Sequence, residues 1–325
     1  MKSKPKLVIQ IPCYNEEDTL PITLKELPSE IPGVNTIEIL VINDGSTDRT
    51  LEVAKEHGIE HIVSFSSRKG LAQAFQIGID TSLTRGADLI VNLDADNQYK
   101  IKYLIDLVQP VLEKRSDVCI GVRPIKDIAE FSLMKKFFQR LGSRIISALS
   151  GIQIKDVTSG FRCYSREAAL SLDIESRFTY TLESIIQLSQ NRMKIETVPV
   201  DVNPRLRESR LFTSNLDYLF RSFTTLIKLY IANYAPLIIF ILALLLGVGS
   251  LVFVGRFVWL RYLSDGAEQG FISLIIGVSL GIGAFLSALF AFLAEVLQAN
   301  RRVIQRINQR LRHLEFGSPD NWIDK

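Results

Sequence analysis

Along the first 125 residues, short apolar runs rich in β-branched side chains alternate with longer stretches of helical periodicity. The runs fall at 6–11, 37–42, 61–65, 88–93 and 118–122. That rhythm predicts βαβ units on a mostly parallel sheet. Strands covered on both faces are continuously apolar rather than alternating, and Ile39, Leu40, Val41 and Ile42, with Leu89, Ile90 and Val91, fit this. Ligands of such sheets sit beyond the strand carboxyl ends. The segments that follow three of these runs, 12–17, 43–48 and 94–98, are rich in polar groups.

Further on, 131–149 carries a long helical pattern, 156–162 reads as a loop and 194–202 as one more strand before Asn203 and Pro204. Leu216, Leu219, Phe220, Phe223, Leu226, Ile227 and Tyr230 recur at helical spacing with Arg221 and Lys228 between them. This predicts an amphipathic helix over 213–230, either lying at a membrane surface or packed on a soluble core. Residues 231–255 and 270–294 contain no charged residue, two runs of 25 residues each. Roughly 20 apolar residues, at about 1.5 Å of rise each, cross the hydrocarbon core of a bilayer.

The pattern therefore divides the chain into a domain at 1–212, the helix at 213–230, a first span at 231–255, a short outer loop at 256–269, a second span at 270–294 and a tail at 295–325. The outer loop holds two Arg, whereas Arg301, Arg302, Arg306, Arg310 and Arg312 stand in the tail with no acid over 296–314. By the positive-inside rule both termini and the N-terminal domain face the cytoplasm. Val296, Val303, Ile307, Leu311 and Leu314 trace an apolar stripe through the tail, which suits either anionic lipid or a second subunit.

Composition narrows the classes. A hydrophobic content of 47% supports a sizeable core and excludes disorder. The balance of 38 Lys+Arg against 35 Asp+Glu gives no basic footprint for nucleic acid. Cys13, Cys119 and Cys163 have neither disulfide-framework nor zinc spacing. The opening 1–11 is too short and too soon polar for a cleavable signal.

The strongest chemical signal is Asp94-Ala95-Asp96, at the end of an apolar run and followed by Gln98. Two hard carboxylates one residue apart can hold Mg²⁺ or Mn²⁺ with positions left open for phosphate oxygens; an Asp pair can equally cap a helix. A haloacid-dehalogenase phosphatase would want Thr or Val where Gln98 stands. Asp44 ends the second run and could accept hydrogen bonds from a nucleoside, while Ser46 or Thr47 caps the next helix. The first loop has no glycine, so the dinucleotide fingerprint is missing.

PCYNEE, VINDGSTD, RKGLAQAFQIG, NLDADNQY and DVTSGFRCYSREA stand in the order and spacing of family 2 glycosyltransferases. The chain resembles their polyprenyl-phosphate branch, which includes dolichyl-phosphate mannose synthases and bactoprenol glucosyltransferases; the two-span hairpin looks more like the latter. The resemblance implies an α/β fold, a Rossmann-like GT-A domain, followed by juxtamembrane helices and a transmembrane hairpin. It implies that Pro12, Tyr14, Asn15, Glu16, Asp44, Ser46, Lys69, Asp94, Ala95 and Asp96 surround the nucleotide sugar, and that Asp94, Asp96 and Gln98 match the metal and diphosphate motif. Asp96, Arg123 and Asp156 would serve catalysis, with Arg123, Arg205, Arg207, Ser209 and Arg210 at the acceptor phosphate. Two departures stand out: many dolichyl-type members carry Leu between the last Asp and Gln and then His-Pro, where Asn97 and Gln98-Tyr99 stand here, and Arg207-Glu208-Ser209-Arg210 replaces their Gly-Glu-Ser-Lys.

Chemically, a polyprenyl phosphate is already ionised at neutral pH, so its oxygen attacks a sugar C1 without strong base help. Two anionic phosphate groups must nevertheless approach, and arginines meet that need bidentately. Asp156 would orient the acceptor or an arginine, or cap its own turn. The expected activity is inverting transfer of a hexose, glucose from UDP-glucose, to undecaprenyl phosphate at the cytoplasmic face of a bacterial-type membrane. The partners are a nucleotide diphosphate sugar, the lipid phosphate, the membrane and a possible second copy, with no nucleic acid. The alternatives are a GDP-mannose donor, a processive polysaccharide synthase and a membrane-tethered nucleotide-sugar binder. Against the synthase, Trp259 and Trp322 lack the Gln-x-x-Arg-Trp context of such enzymes.

Overall fold

The computed structural model describes residues 5–123, 156–174, 180–204, 215–262 and 270–316. The chain divides into two units, one of Met1–Phe220 with Gln309–Lys325 and one of Arg221–Asn308. The helical pattern expected at 131–149 lies outside the described residues.

The first unit is built on a seven-stranded sheet of β1 (Lys6–Cys13), β2 (Thr36–Asn43), β3 (His61–Ser64), β4 (Leu89–Asn92), β5 (Val118–Val122), β6 (Arg162–Ser165) and β7 (Ile195–Pro199), in the order β3-β2-β1-β4-β6-β5-β7. Strands β3, β2, β1 and β4 pair in parallel, and β5 pairs in parallel with β7. Strand β6 runs antiparallel to both β4 and β5. The apolar runs read from sequence are all strands. Strand β6 falls where the sequence predicts the end of a loop: four residues beginning with an arginine carry no strand pattern, and only the two neighbouring strands make the segment a strand.

Leu7, Ile9 and Ile11 of β1 are fully buried in one cluster with Val41, Leu89, Val91, Leu104 and Leu107. Each such side chain contributes about 1.5–3 kcal/mol relative to exposure. The helices of this unit are α1 (Leu20–Glu26), α2 (Thr50–Glu56), α3 (Leu71–Thr84), α4 (Leu104–Leu112), α5 (Arg166–Leu170) and α6 (Tyr180–Gln190). Against the other sheet face, α3 approaches β1 and β2 closely at Gly78, where an added Cβ would lie 2.5 Å from Gln10 Oε1 and 3.0 Å from Ile42 Cδ1.

The second unit consists of most of α7 (Asn215–Tyr262) and most of α8 (Phe271–Phe316). The surface helix expected over 213–230 and the first span form one unbroken helix, and the tail continues α8 through Phe316. Both helices are long and apolar enough to cross a bilayer, over Tyr234–Tyr262 and from Phe271. Their outward faces present Leu244, Leu245, Leu251, Ile272 and Phe285, all exposed, the reverse of a water-soluble helix. The helices meet at small residues: Ser250 Oγ donates to Gly277 O at 2.7 Å, and an added Cβ on Gly277 would lie 3.0 Å from Val254 N.

Gly78→Ala is expected to destabilise the first unit by about 1–3 kcal/mol through overpacking against Gln10 and Ile42. Thermal denaturation should show a drop of roughly 2–4 °C per kcal/mol.

Candidate active site

The polar loops after β1, β2 and β4 converge because those strands are parallel neighbours, which sets their carboxyl ends side by side. After β1, Asn15 adopts φ 56° and ties its loop to the next: its backbone N–H donates to Ser46 Oγ at 3.0 Å, and its Oδ1 accepts from Thr47 N at 2.8 Å. Glu16 is buried; its N–H donates to Thr50 Oγ1 at 2.7 Å, and its Oε2 accepts from Thr19 Oγ1 at 2.6 Å. Tyr14 carries the Arg68 guanidinium 4.2 Å from its ring centroid.

Asp44 is nearly inaccessible, and its carboxylate accepts from Lys69 N at 2.6 Å and Gly70 N at 2.9 Å. It thereby anchors the entry to α3, a role its position at the strand end does not reveal. Lys69 contributes to this contact through its backbone.

Asp94 and Asp96 follow β4. Burial, then the neighbouring Asp96 carboxylate, push the Asp94 carboxyl up to about 7, while Arg123 and Arg162 act in the opposite direction. Asp94 lies against Gly160: an added Cβ there would sit 2.5 Å from Asp94 Oδ2 and 2.9 Å from the Tyr180 hydroxyl. Beneath them, Asn92 Nδ2 donates to Gly160 O at 2.9 Å and to Tyr180 Oη at 2.8 Å, and Asn92 Oδ1 accepts from Gln10 Nε2 at 2.9 Å.

Arg123, just past β5, is gripped by Asp156, with Nε to Oδ2 at 2.7 Å and Nη2 to Oδ1 at 3.1 Å. Its Nη2 also donates to Thr158 Oγ1 at 2.9 Å and its Nη1 to Gln98 Oε1 at 3.0 Å. Burial alone would raise the Asp156 carboxyl, but the Arg123 guanidinium and the Thr158 hydroxyl and amide hold it below the usual carboxylate range. Asp96, Gln98, Arg123 and Asp156 thus stand in one connected cluster with Asp94. Arg205, Arg207, Ser209 and Arg210 lie outside the described residues.

Two supporting residues escaped the sequence reading. Arg162 is fully buried, and its guanidinium donates to Val157 O at 2.9 Å, Ser159 O at 2.8 Å, Thr181 O at 3.1 Å and Ser184 Oγ at 2.8 Å. It fixes the loop of Asp156 to α6. Asn203 donates its N–H to Gln98 O at 2.8 Å and its Nδ2 to Asn97 O at 3.0 Å, holding Asn97 at φ 54°. The sequence signal was slight: an Asn before Pro204 at a strand exit.

The donor set that could hold a divalent cation is Asp94 and Asp96. Burial and then the Asp96 carboxylate raise the first, and a bound cation would offset both. Gln98 Oε1 already accepts from Arg123, leaving one lone pair for any further ligand. No group of three or more His, Cys, Asp or Glu suited to a metal occurs among the described residues, so phosphate oxygens would complete the coordination.

Because Asp94 must lose its proton to bind a cation, Mn²⁺ affinity measured by paramagnetic titration should weaken by up to about tenfold per pH unit below 7 and level off above it. Asn203→Ala removes the brace on the loop of Asp96; at roughly 1 kcal/mol for the lost bond, Mn²⁺ binding in the same titration should weaken about fivefold.

Residues 8–172 match the family model described as glycosyl transferase family 2. The chain is 32% identical over 206 residues to an uncharacterized protein of Methanocaldococcus jannaschii, covering 61% of this chain and 82% of that one. It is 27% identical to a polyprenol monophosphomannose synthase of Mycolicibacterium smegmatis, covering 65% and 83%. Among solved structures, glucosyl-3-phosphoglycerate synthase of Mycobacterium tuberculosis, crystallised with Mn²⁺, UDP and glucosyl-3-phosphoglycerate, superposes with a TM-score of 0.56 at 20% identity, covering 71% of this chain and 80% of that one. The likeness is one of fold, the GT-A arrangement expected from the sequence. The chain belongs to glycosyl transferase family 2, and it is a glycosyltransferase.

Proposed function

We propose that the chain transfers a hexose from a nucleotide diphosphate sugar to a polyprenyl phosphate at the cytoplasmic face of a membrane. The observation that carries this reading is the Asp94, Asp96, Gln98, Arg123 and Asp156 cluster at the strand ends of a chain that also holds two helices apolar enough to span a bilayer. The relative in Mycolicibacterium smegmatis, named for polyprenol monophosphomannose synthesis, supports the lipid phosphate as acceptor.

In this reading the acceptor phosphate oxygen forms a bond to C1 of the sugar as the bond from C1 to the nucleotide diphosphate breaks, with inversion at C1. Bound at Asp94 and Asp96, Mg²⁺ or Mn²⁺ would supply charge compensation for the departing diphosphate. Arg123 places a guanidinium beside the same loop and, held by Asp156, Gln98 and Thr158, is fixed before substrate arrives. Pro12, Tyr14, Asn15, Glu16, Ser46 and Lys69 line the loops for the nucleoside, and Asp44 shapes them from beneath. Arg205, Arg207, Ser209 and Arg210 complete the acceptor side. Both termini face the cytoplasm, as the arginine excess of the tail directs.

UDP-glucose is the donor we propose, on the likeness of the two-span hairpin to bactoprenol glucosyltransferases. GDP-mannose is the second reading, favoured by the mannosyl name of the Mycolicibacterium smegmatis relative. Purified protein incubated with Mg²⁺ or Mn²⁺, undecaprenyl phosphate and a panel of nucleotide sugars should yield one lipid-linked sugar by mass spectrometry. Asp96→Ala should lower that transfer by about 10²-fold or more. Metal-dependent nucleotide binding without product from any donor would replace the enzyme reading with a tethered binder.

A further inference from the structure

Helix α8 is unbroken from Phe271 to Phe316, about 69 Å at 1.5 Å per residue, whereas the hydrocarbon of a bilayer takes only about 30 Å of it. From Glu295 onward the helix carries Arg301, Arg302, Arg306, Arg310 and Arg312, so this part stands in water. Toward its end, at Gln309 and Arg312, the polar side is covered. Gln309 Nε2 donates to Ser171 O at 3.4 Å and Arg312 Nε to Leu170 O at 3.2 Å, with Arg312 Nη2 2.7 Å from Asp80 Oδ1. Its apolar face is bare: Leu297 is 69% exposed, Ile304 58%, Ile307 51%, Leu311 55% and Leu314 67%.

The bare residues are not scattered. Leu297, Asn300, Ile304, Ile307, Leu311 and Leu314 follow one another at intervals of 3, 4, 3, 4 and 3, the a and d seam of a coiled coil over three heptads. A helix that lies flat on lipid needs a break after its span, and α8 has none; Val296 and Val303, exposed at 40% and 51%, fall at the g positions and flank the seam on one side. The flanks identify the occupant. Counting Leu297 as a, Arg310 falls at g and Glu315 at the following e, the two positions that pair between parallel strands in register. Two copies crossing one membrane with the same topology leave it in the same direction, which makes them parallel.

We propose that residues 297–314 of α8 form a parallel, in-register coiled coil with the same segment of a second copy of this chain, with Arg310 of each helix facing Glu315 of the other. Asn300 provides the one polar layer of the seam, and the site loops lie on a different segment of the chain.

Cysteine cross-linking in membranes tests this, helped by the burial of all three native cysteines. Under mild oxidation Ile307→Cys, at a d position, should become mostly a species of twice 36.6 kDa. Arg302→Cys, at f on the outer side, should remain mostly a single chain. In the Ile307→Cys background Arg310→Glu should reduce cross-linking severalfold, and Arg310→Glu with Glu315→Arg should restore it. Cross-linking of Ile307→Cys no greater than that of Arg302→Cys overturns the proposal. In that case protection of the introduced Ile307→Cys thiol from a water-soluble maleimide assigns the seam to lipid, and ready labelling assigns it to water. Failure of the charge swap to restore cross-linking overturns the parallel register. None of these readouts uses sugar transfer, so they stand or fall apart from the proposed reaction.

Discussion

Two carboxylates one residue apart at the end of a buried strand repel each other, and most of what surrounds Asp94 and Asp96 answers that repulsion. Arg123 and Arg162 bring the nearest positive charge. One is held at the surface of the cluster by Asp156, the other is sunk into the core and satisfied by carbonyls and a hydroxyl rather than by an acid. Arg123 acts on Asp94 more strongly than Arg162 even though it is paired with its own carboxylate. Gly160 belongs to the same answer, since any side chain there would occupy the space into which Asp94 fits.

Much of this was legible in the sequence where the pattern was continuous. The apolar runs are long enough to be strands, and their parallel pairing follows from the helices between them, so the convergence of 12–17, 43–48 and 94–98 follows from the pattern alone. Strand β6 was not legible, because Arg162-Cys163-Tyr164-Ser165 is a strand only by virtue of β4 and β5 on either side. Arg162 and Asn203 were missed for a related reason: each acts on backbone atoms far away in the chain, and a carbonyl partner leaves no trace in residue identity. Asp44 was found, but its contacts with the amides at the start of α3 give it a structural duty that its place after a strand could not reveal.

The helical part shows the opposite balance. Composition delimited the apolar stretches closely, yet it divided α7 and α8 into pieces that the backbone joins, since charge marks where a bilayer ends and carries no information on whether a helix ends there too. The end of α8 belongs to the first unit, where Gln309 and Arg312 bond to carbonyls of Ser171 and Leu170, an arrangement invisible from a stripe of apolar residues alone.

The amide chain beneath the site carries a last consequence. Asn92 can face Gly160 O only with its nitrogen, so its oxygen must turn to Gln10 Nε2, and Gln10 Oε1 is left buried and without a hydrogen-bond partner toward α3. Rotating either amide would set oxygen against oxygen at Gly160 or beside Asn92. The direction of donation therefore runs one way through the sheet and has a single consistent setting, so the floor under Asp94 behaves as a rigid bearing. The layer above, where Arg123 joins Gln98, Asp156 and Thr158, therefore rests on a floor that has no second hydrogen-bonded arrangement to move into.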